Sequence, residues 1–188
     1  MVRILVRIGV AIAMAAIVVA VLAGFGYLIP IGAAGASSMA PTVPGCDGRV
    51  LAQAFTYKLH GPHHGDVAVF RVNGSAARGF HPDVEGDHDL VRRVVGVPGD
   101  VVSAHDGYLE VNGERYDDLV TRTFKQVKLA GDEYFVIGDN RSASQDSRSF
   151  GPVPRDAFRG KVFLVYWPLH DVAVPGGPPA GRPPGNVC

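Results

Sequence analysis

The sequence predicts an all-β body of antiparallel sheets carried on one amino-terminal apolar helix. Three observations predict it: a long uncharged stretch near the start, short β-branched runs separated by turn residues, and no helical period after residue 31. With 24 glycines and 14 prolines in 188 residues, the chain is richer in turn formers than a helical bundle tolerates. Its length suits one cored domain with appendages rather than two ordinary domains.

Residues 8–31, "IGVAIAMAAIVVAVLAGFGYLIPI", carry no charge. As a helix rising ~1.5 Å per residue they span about 36 Å, enough to cross a hydrocarbon core of ~30 Å with some tilt. Arg3 and Arg7 stand just before the stretch and no basic residue follows until Arg49. The positive-inside bias therefore puts residues 1–7 in the cytoplasm and the rest outside, with the helix held in cytoplasmic-membrane lipid. The competing reading is a removable signal peptide cut near Ala34 to Ala36, but a cleavable apolar core usually runs only ~7–15 residues.

Residues 32–170 form the β body. Its strand runs are "GRVLAQAF", "DVAVFRV", "LVRRVVGV", "VVSAHDGYLEVNG", "EYFVIGD" and "GKVFLVYWP". Asp106-Gly107 and Asn112-Gly113 signal two-residue hairpins, with a short strand at Leu109 to Val111 between them. "KLHGPHHG" and "NGSAARGFHPDVEGDHD" read as surface excursions. Residues 171–188 are Pro/Gly-rich with little to bury, which predicts a flexible tail.

Several function classes lose support here. Formal net charge is zero, so nothing suggests a nucleic-acid partner. His60, His63 and His64 lack a matching ligand cluster, so a metal site is not expected. Cys46 and Cys188 have no metal-ligand spacing, and either a single bridge or two unpaired thiols fits them.

"DLVRRVVGVPGD" places Arg92-Arg93 inside an apolar run. In a strand, Leu90, Arg92 and Val94 share one face and Val91, Arg93 and Val95 the other, so each face carries one arginine. A buried guanidinium without a partner costs several kcal/mol, so at least one needs a carboxylate or a functional reason.

Two further stretches could carry chemistry. "ASSMAPT" follows the apolar span and offers a serine hydroxyl and free backbone N–H groups in a tight turn, as a nucleophile with an oxyanion hole requires. "IGDNRSASQDSRSFGPV" is a dense polar loop leaving an apolar strand, suited to be a braced wall.

Four blocks in order, "SMAPT" after a membrane span, "HGDVAVF", "RRVVGVPGD" and "GDNRSASQDSRSFGPV", give a sequence that resembles the bacterial type I signal peptidases over nearly the whole chain except the tail. The resemblance implies a membrane-anchored serine endopeptidase that removes signal peptides from exported pre-proteins. It implies a coiled antiparallel β-sheet catalytic domain and a Ser-Lys dyad with no metal or organic cofactor.

By that resemblance Ser38 falls on the nucleophile, its own N–H being an oxyanion donor. Ala36 falls where some relatives carry a serine whose hydroxyl adds a second donor. Ser144 matches the serine that hydrogen-bonds the family's lysine, Asp146 and Arg148 match an ion pair bracing the site, and Arg93 is expected near that acidic partner. Asp139, Asn140 and Arg141 match "GDNR", which supports the wall.

The departure is at the base, where Arg92 occupies the lysine's position. A lysine amine can be desolvated until it is neutral near pH 7, whereas an arginine with a pKa above ~12 would need roughly 7 kcal/mol to be neutral there. Cationic Arg92 could instead stabilise an alkoxide or oxyanion. Lys58, Lys125, Lys128 and Lys161 lie outside the matching blocks, and His88 stands four residues upstream on the same strand face. Three readings follow: a signal peptidase slowed at its base, a catalytically weak paralogue that binds exported chains or membrane partners, and a specialised peptidase processing pilins for conjugation.

Overall fold

The computed structural model describes residues 2–24, 28–32, 36–45, 47–72 and 88–176. Helix α1 runs Val2–Gly24. An 18-residue window within it, Ile4–Val21, has a mean hydropathy of 2.7 and none of it is buried, so the helix is long and apolar enough to cross a membrane.

The helix does not occupy the whole expected stretch of 8–31. It begins earlier and stops at Gly24, and Leu28–Ile31 is a strand, β1, paired antiparallel with β2 (Arg49–Gln53) through Leu28 opposite Gln53 and Ile31 opposite Val50. Apolarity cannot separate a spanning helix from a buried strand when one runs directly into the other.

After β2 come a short helix α2 (Phe55–Leu59) and strands β3 (Val67–Val72) and β4 (His88–Gly96). Then follow β5 (Val101–His105), β6 (Tyr108–Val111), β7 (Glu114–Arg115), β8 (Phe124–Lys128) and β9 (Glu133–Ile137). Helix α3 (Ser147–Phe150), β10 (Val153–Pro154) and β11 (Phe158–Trp167) complete the body. Helix α2 escapes sequence reading because five residues are too few to show a 3.6-residue period.

Among the described residues the strands form two sheets, seven-stranded in the order β1-β2-β11-β3-β4-β9-β10 and four-stranded in the order β7-β6-β5-β8, all with antiparallel neighbours. Both expected hairpins form. His105 pairs with Tyr108 around Asp106-Gly107, and Val111 with Glu114 around Asn112-Gly113. Their φ values, 48° and 84° at the first turn and 56° and 81° at the second, are the left-handed pair that such turns need.

Strand β4 joins three apolar cores. Val91 packs with Met39, Val67, Val69 and Val162; Val95 packs with Val102, Leu109, Phe135 and Ile137. On the opposite face Val94, flanked by Leu90, packs with Phe70, Tyr134 and Phe158. The two arginines interrupt these faces as their alternation predicts, and both are buried, Arg92 at 4% and Arg93 at 1% exposure.

The tail departs in part from its expected character. Ala173 exchanges both backbone hydrogen bonds with Val165 of β11, at 2.8 and 3.1 Å, so residues 171–176 begin by folding back on the sheet. Cys46, Cys188 and most of the second surface excursion lie outside the described residues.

Candidate functional site

The turn that bears Ser38 is a single 3₁₀ segment, Ala36–Met39. Met39 is wholly buried in the first core, which pulls the turn down onto β4, and Ser38 is only 3% exposed rather than displayed at the tip. Val43 closes the turn by donating its N–H to the Met39 carbonyl at 2.9 Å.

The 138–148 loop grips this turn. Asn140 donates its backbone N–H to the Ser38 carbonyl at 3.0 Å and its side-chain amide to the Ser37 carbonyl at 2.9 Å. Gly138 lies between the two serines of the site. A Cβ there would stand 2.5 Å from the Ser38 carbonyl oxygen and 2.5 Å from Ser144 Cβ, and would meet Ser144 Oγ as well. Only glycine permits that approach.

Beneath the turn is a buried ion pair. Arg93 donates Nε to Asp139 Oδ1 at 2.8 Å and Nη2 to Asp139 Oδ2 at 2.7 Å, with the two side chains 1% and 0% exposed. Asp139 Oδ2 also accepts from the Thr42 hydroxyl, and Arg93 Nη1 donates to the Gly65 carbonyl at 2.8 Å. One carboxylate thus ties the serine turn to β4. The partner expected for Arg93, Asp146 or its neighbourhood, is corrected to Asp139. Both acids sit in one loop, and Asp146 is already filled.

Asp146 takes four donors: the Arg148 backbone N–H at 3.2 Å, Arg148 Nε and Nη2 at 2.7 Å each, and the Gly138 N–H at 3.0 Å. That matches the roughly four lone-pair sites of a carboxylate. Burial pushes its pKa up, but Arg148 and the Gly138 N–H outweigh burial and hold it below the usual carboxylate range. Arg148 also donates Nη1 to the Arg141 carbonyl at 2.9 Å. Arg141 in turn donates to Gly138 O at 3.1 Å, to Thr121 Oγ1 at 2.7 Å and to Asp117.

Arg92 is held differently. Nε and Nη2 both donate to the Gln145 carbonyl, at 3.0 and 2.8 Å, and Nη1 donates to the Val91 carbonyl at 2.6 Å. Burial is the main influence on it, pushing its pKa down to about 10, with nearby Asp146 and Arg148 acting in opposite directions. Ser144 Oγ, expected to bond the residue at this position, is buried and makes no hydrogen bond to Arg92; it stands close enough to Asp146 to help lower that acid's pKa. The guanidinium fastens on the carbonyl of Gln145, the residue after Ser144.

The other bases considered stand elsewhere. Lys161 Nζ lies 2.6 Å from Asp66 Oδ1, at a cleft of about 400 Å³ that His64 and Tyr116 also line. Lys125 and Lys128 are on β8 in the four-stranded sheet, Lys58 is on α2, and His88 opens β4 with its Nε2 buried and unpartnered. Among the described residues no group of three His, Cys, Asp or Glu side chains is placed to hold a metal ion.

Sequence reasoning missed Thr42, Gly138, Gln145 and Asp117. The first three lie inside blocks already singled out. Gln145 acts through its backbone carbonyl, which no side-chain pattern reports, and Asp117 has no signal at all.

The family described as signal peptidase, peptidase S26 matches residues 1–167. The chain belongs to this signal peptidase family. A probable signal peptidase I-2 of Synechocystis is 33% identical over 144 residues, covering 73% of this chain and 63% of the relative. Signal peptidase IB of Staphylococcus aureus is 35% identical over 159 residues, covering 71% and 75% respectively. A crystal structure of a signal peptidase I from Enterococcus faecalis superposes with a TM-score of 0.43 at 25% identity, over 54% of this chain and 97% of that one. For this signal peptidase family member, the blocks around Ser38, Arg92 and the 138–148 loop all fall within the matched residues.

Proposed function

We propose that this chain is a membrane-anchored serine endopeptidase that removes signal peptides from exported pre-proteins, and that Arg92 slows it. The observation that carries the reading is the double clamp on the serine turn, Asn140 on the Ser37 and Ser38 carbonyls, with Gly138 packed between Ser38 and Ser144. Such a clamp fixes a nucleophile's backbone while the surrounding wall is braced by buried ion pairs, the preorganisation that acyl transfer needs.

In this reading α1 anchors the enzyme with residues 1–7 in the cytoplasm, and the β body works at the outer face of the cytoplasmic membrane. Ser38 attacks the scissile carbonyl and its own N–H helps hold the oxyanion. Ala36 contributes no hydroxyl, so the hole rests on backbone. Ser144, Asp146, Arg148, Arg93, Asp139 and Asn140 hold the wall, and no metal or organic cofactor takes part.

Arg92 stands where the proton acceptor belongs. Burial lowers its pKa to about 10, which raises the neutral fraction at pH 7 to about 10⁻³ and reduces the cost of deprotonation to about 4 kcal/mol. That supports slow turnover rather than none. Purified full-length protein should cleave a fluorogenic signal-peptide substrate slowly, Arg92→Lys should raise the rate at least tenfold, and Ser38→Ala should abolish it. Normal wild-type turnover that Arg92→Lys does not improve would refute the impaired base.

A second reading, a binding paralogue for exported chains, draws support from the same residue. Its three hydrogen bonds go to the Gln145 and Val91 carbonyls, and none goes to Ser144.

A further inference from the structure

The buried charges around the site do not balance. Arg93 is matched by Asp139, Arg141 by Asp117 and Arg148 by Asp146. Among the described residues Arg92, 4% exposed, has no carboxylate in hydrogen-bond contact. Asp146 is the nearest acid to act on it, yet all four of its lone-pair sites are taken by Arg148 and Gly138. The wall beside Ser38 therefore carries an excess positive charge, and at pH 7 the guanidinium is almost wholly cationic.

Donors are in excess too. A guanidinium has five N–H donors, of which Arg92 uses three, leaving one on Nη1 and one on Nη2. Ser144 Oγ, on the residue beside Gln145, is buried against the same wall and acts only on the already filled Asp146. Spare N–H donors on an unmatched buried cation favour a ligand that only accepts and carries negative charge. A carboxylate meets both needs and fits the two-nitrogen fork of an arginine.

We propose that Arg92 and Ser144 make this site a receptor for the free carboxylate at the end of a peptide, so that it holds the carboxyl terminus of a cleaved signal peptide in preference to an uncleaved chain. The proposal rests on the reading of Ser38 as the nucleophile, since cleavage there creates the carboxylate within the site. A lysine at this position, neutral when it works as a base, would leave no such charge. Replacing it by arginine moves the preference of the site from a neutral scissile amide to an anionic product, and a site that retains its product also turns over slowly.

The test uses full-length Ser38→Ala protein in detergent, which cannot cleave, with a fluorescein-labelled decapeptide ending in Ala-Gln-Ala as the free acid and as the carboxamide. Fluorescence polarisation at pH 7 should show the acid binding at least tenfold more tightly than the amide. Adding Arg92→Gln should bring the affinities for acid and amide within about twofold of each other. Ser144→Ala should reduce the preference without removing it. Equal binding of acid and amide in the parent, weak or strong, overturns the proposal, as does a preference that survives Arg92→Gln. Failure of the peptidase reading would appear separately, as cleavage that Ser38→Ala does not abolish.

Discussion

Arg93 and Asp139 meet as a two-bonded pair in the interior, Nε to Oδ1 at 2.8 Å and Nη2 to Oδ2 at 2.7 Å, and the same carboxylate accepts from Thr42 four residues beyond Ser38. Removing one partner leaves the other charge buried and unmatched, a loss of about 3–5 kcal/mol. Asp139→Asn should therefore lower stability in urea unfolding by that amount, and activity should fall with it because the serine turn loses its tether. A variant as stable as the parent would show that the pair is not what holds the turn.

The pH profile of turnover follows from Arg92. With its pKa pushed down to about 10 by burial, its neutral fraction below that value grows tenfold for each pH unit. The logarithm of kcat/KM should rise with a slope near one from pH 7 to pH 9 in the parent, and level off earlier in Arg92→Lys. Stability does not confound this. The folded pKa lies below the unfolded one, so the stability gain from deprotonation comes only as pH rises past about 10. A flat parent profile would mean that Arg92 does not act as the base.

Gly138 offers a steric test. A methyl group there would overlap Ser144 and stand 2.5 Å from the Ser38 carbonyl oxygen, so Gly138→Ala must displace one serine or the other. Overpacking of this kind costs about 1–3 kcal/mol, and a shift of the serine turn by a fraction of an ångström should reduce kcat by roughly a hundredfold. Unchanged kcat would mean that the wall yields without moving Ser38.

Asp146 gives an acid-side test. Burial raises its pKa, but Arg148 and the Gly138 N–H prevail and hold it below the ordinary value of ~3.9. A lowered folded pKa contributes stability that is complete above about pH 4 and is lost as pH falls through the folded value. Asp146→Asn should be much less stable than the parent at pH 7, and the gap should narrow as pH drops below 4. A gap that stays constant down to pH 2 would contradict this.

Much of the fold was legible because it depends on local chemistry. The Asp106-Gly107 and Asn112-Gly113 turns specify their hairpins through left-handed backbone, and strand alternation in "LVRRVVGV" assigns Arg92 and Arg93 to opposite faces before any partner is known. What remained hidden depends on pairing across the chain. Leu28–Ile31 becomes a strand only because Val50 to Gln53 lies beside it, and Arg93 takes Asp139 rather than Asp146 because Asp146, held by Arg148, lies where Arg92 and not Arg93 feels it. Blocks in the sequence identified which residues gather around the serine. They did not identify which carboxylate serves which arginine.

The Asp139 carboxylate, holding Thr42 and Arg93 together, has a bearing on how such chains are recognised in genomes. The residues that make the blocks recognisable are largely those that keep the scaffold rigid: Arg93, Asp139, Asn140, Asp146 and Arg148. Selection for mere foldability would preserve them long after proton transfer had ceased to matter. Counting peptidases by these blocks therefore counts frames, and position 92 has to be read separately from them.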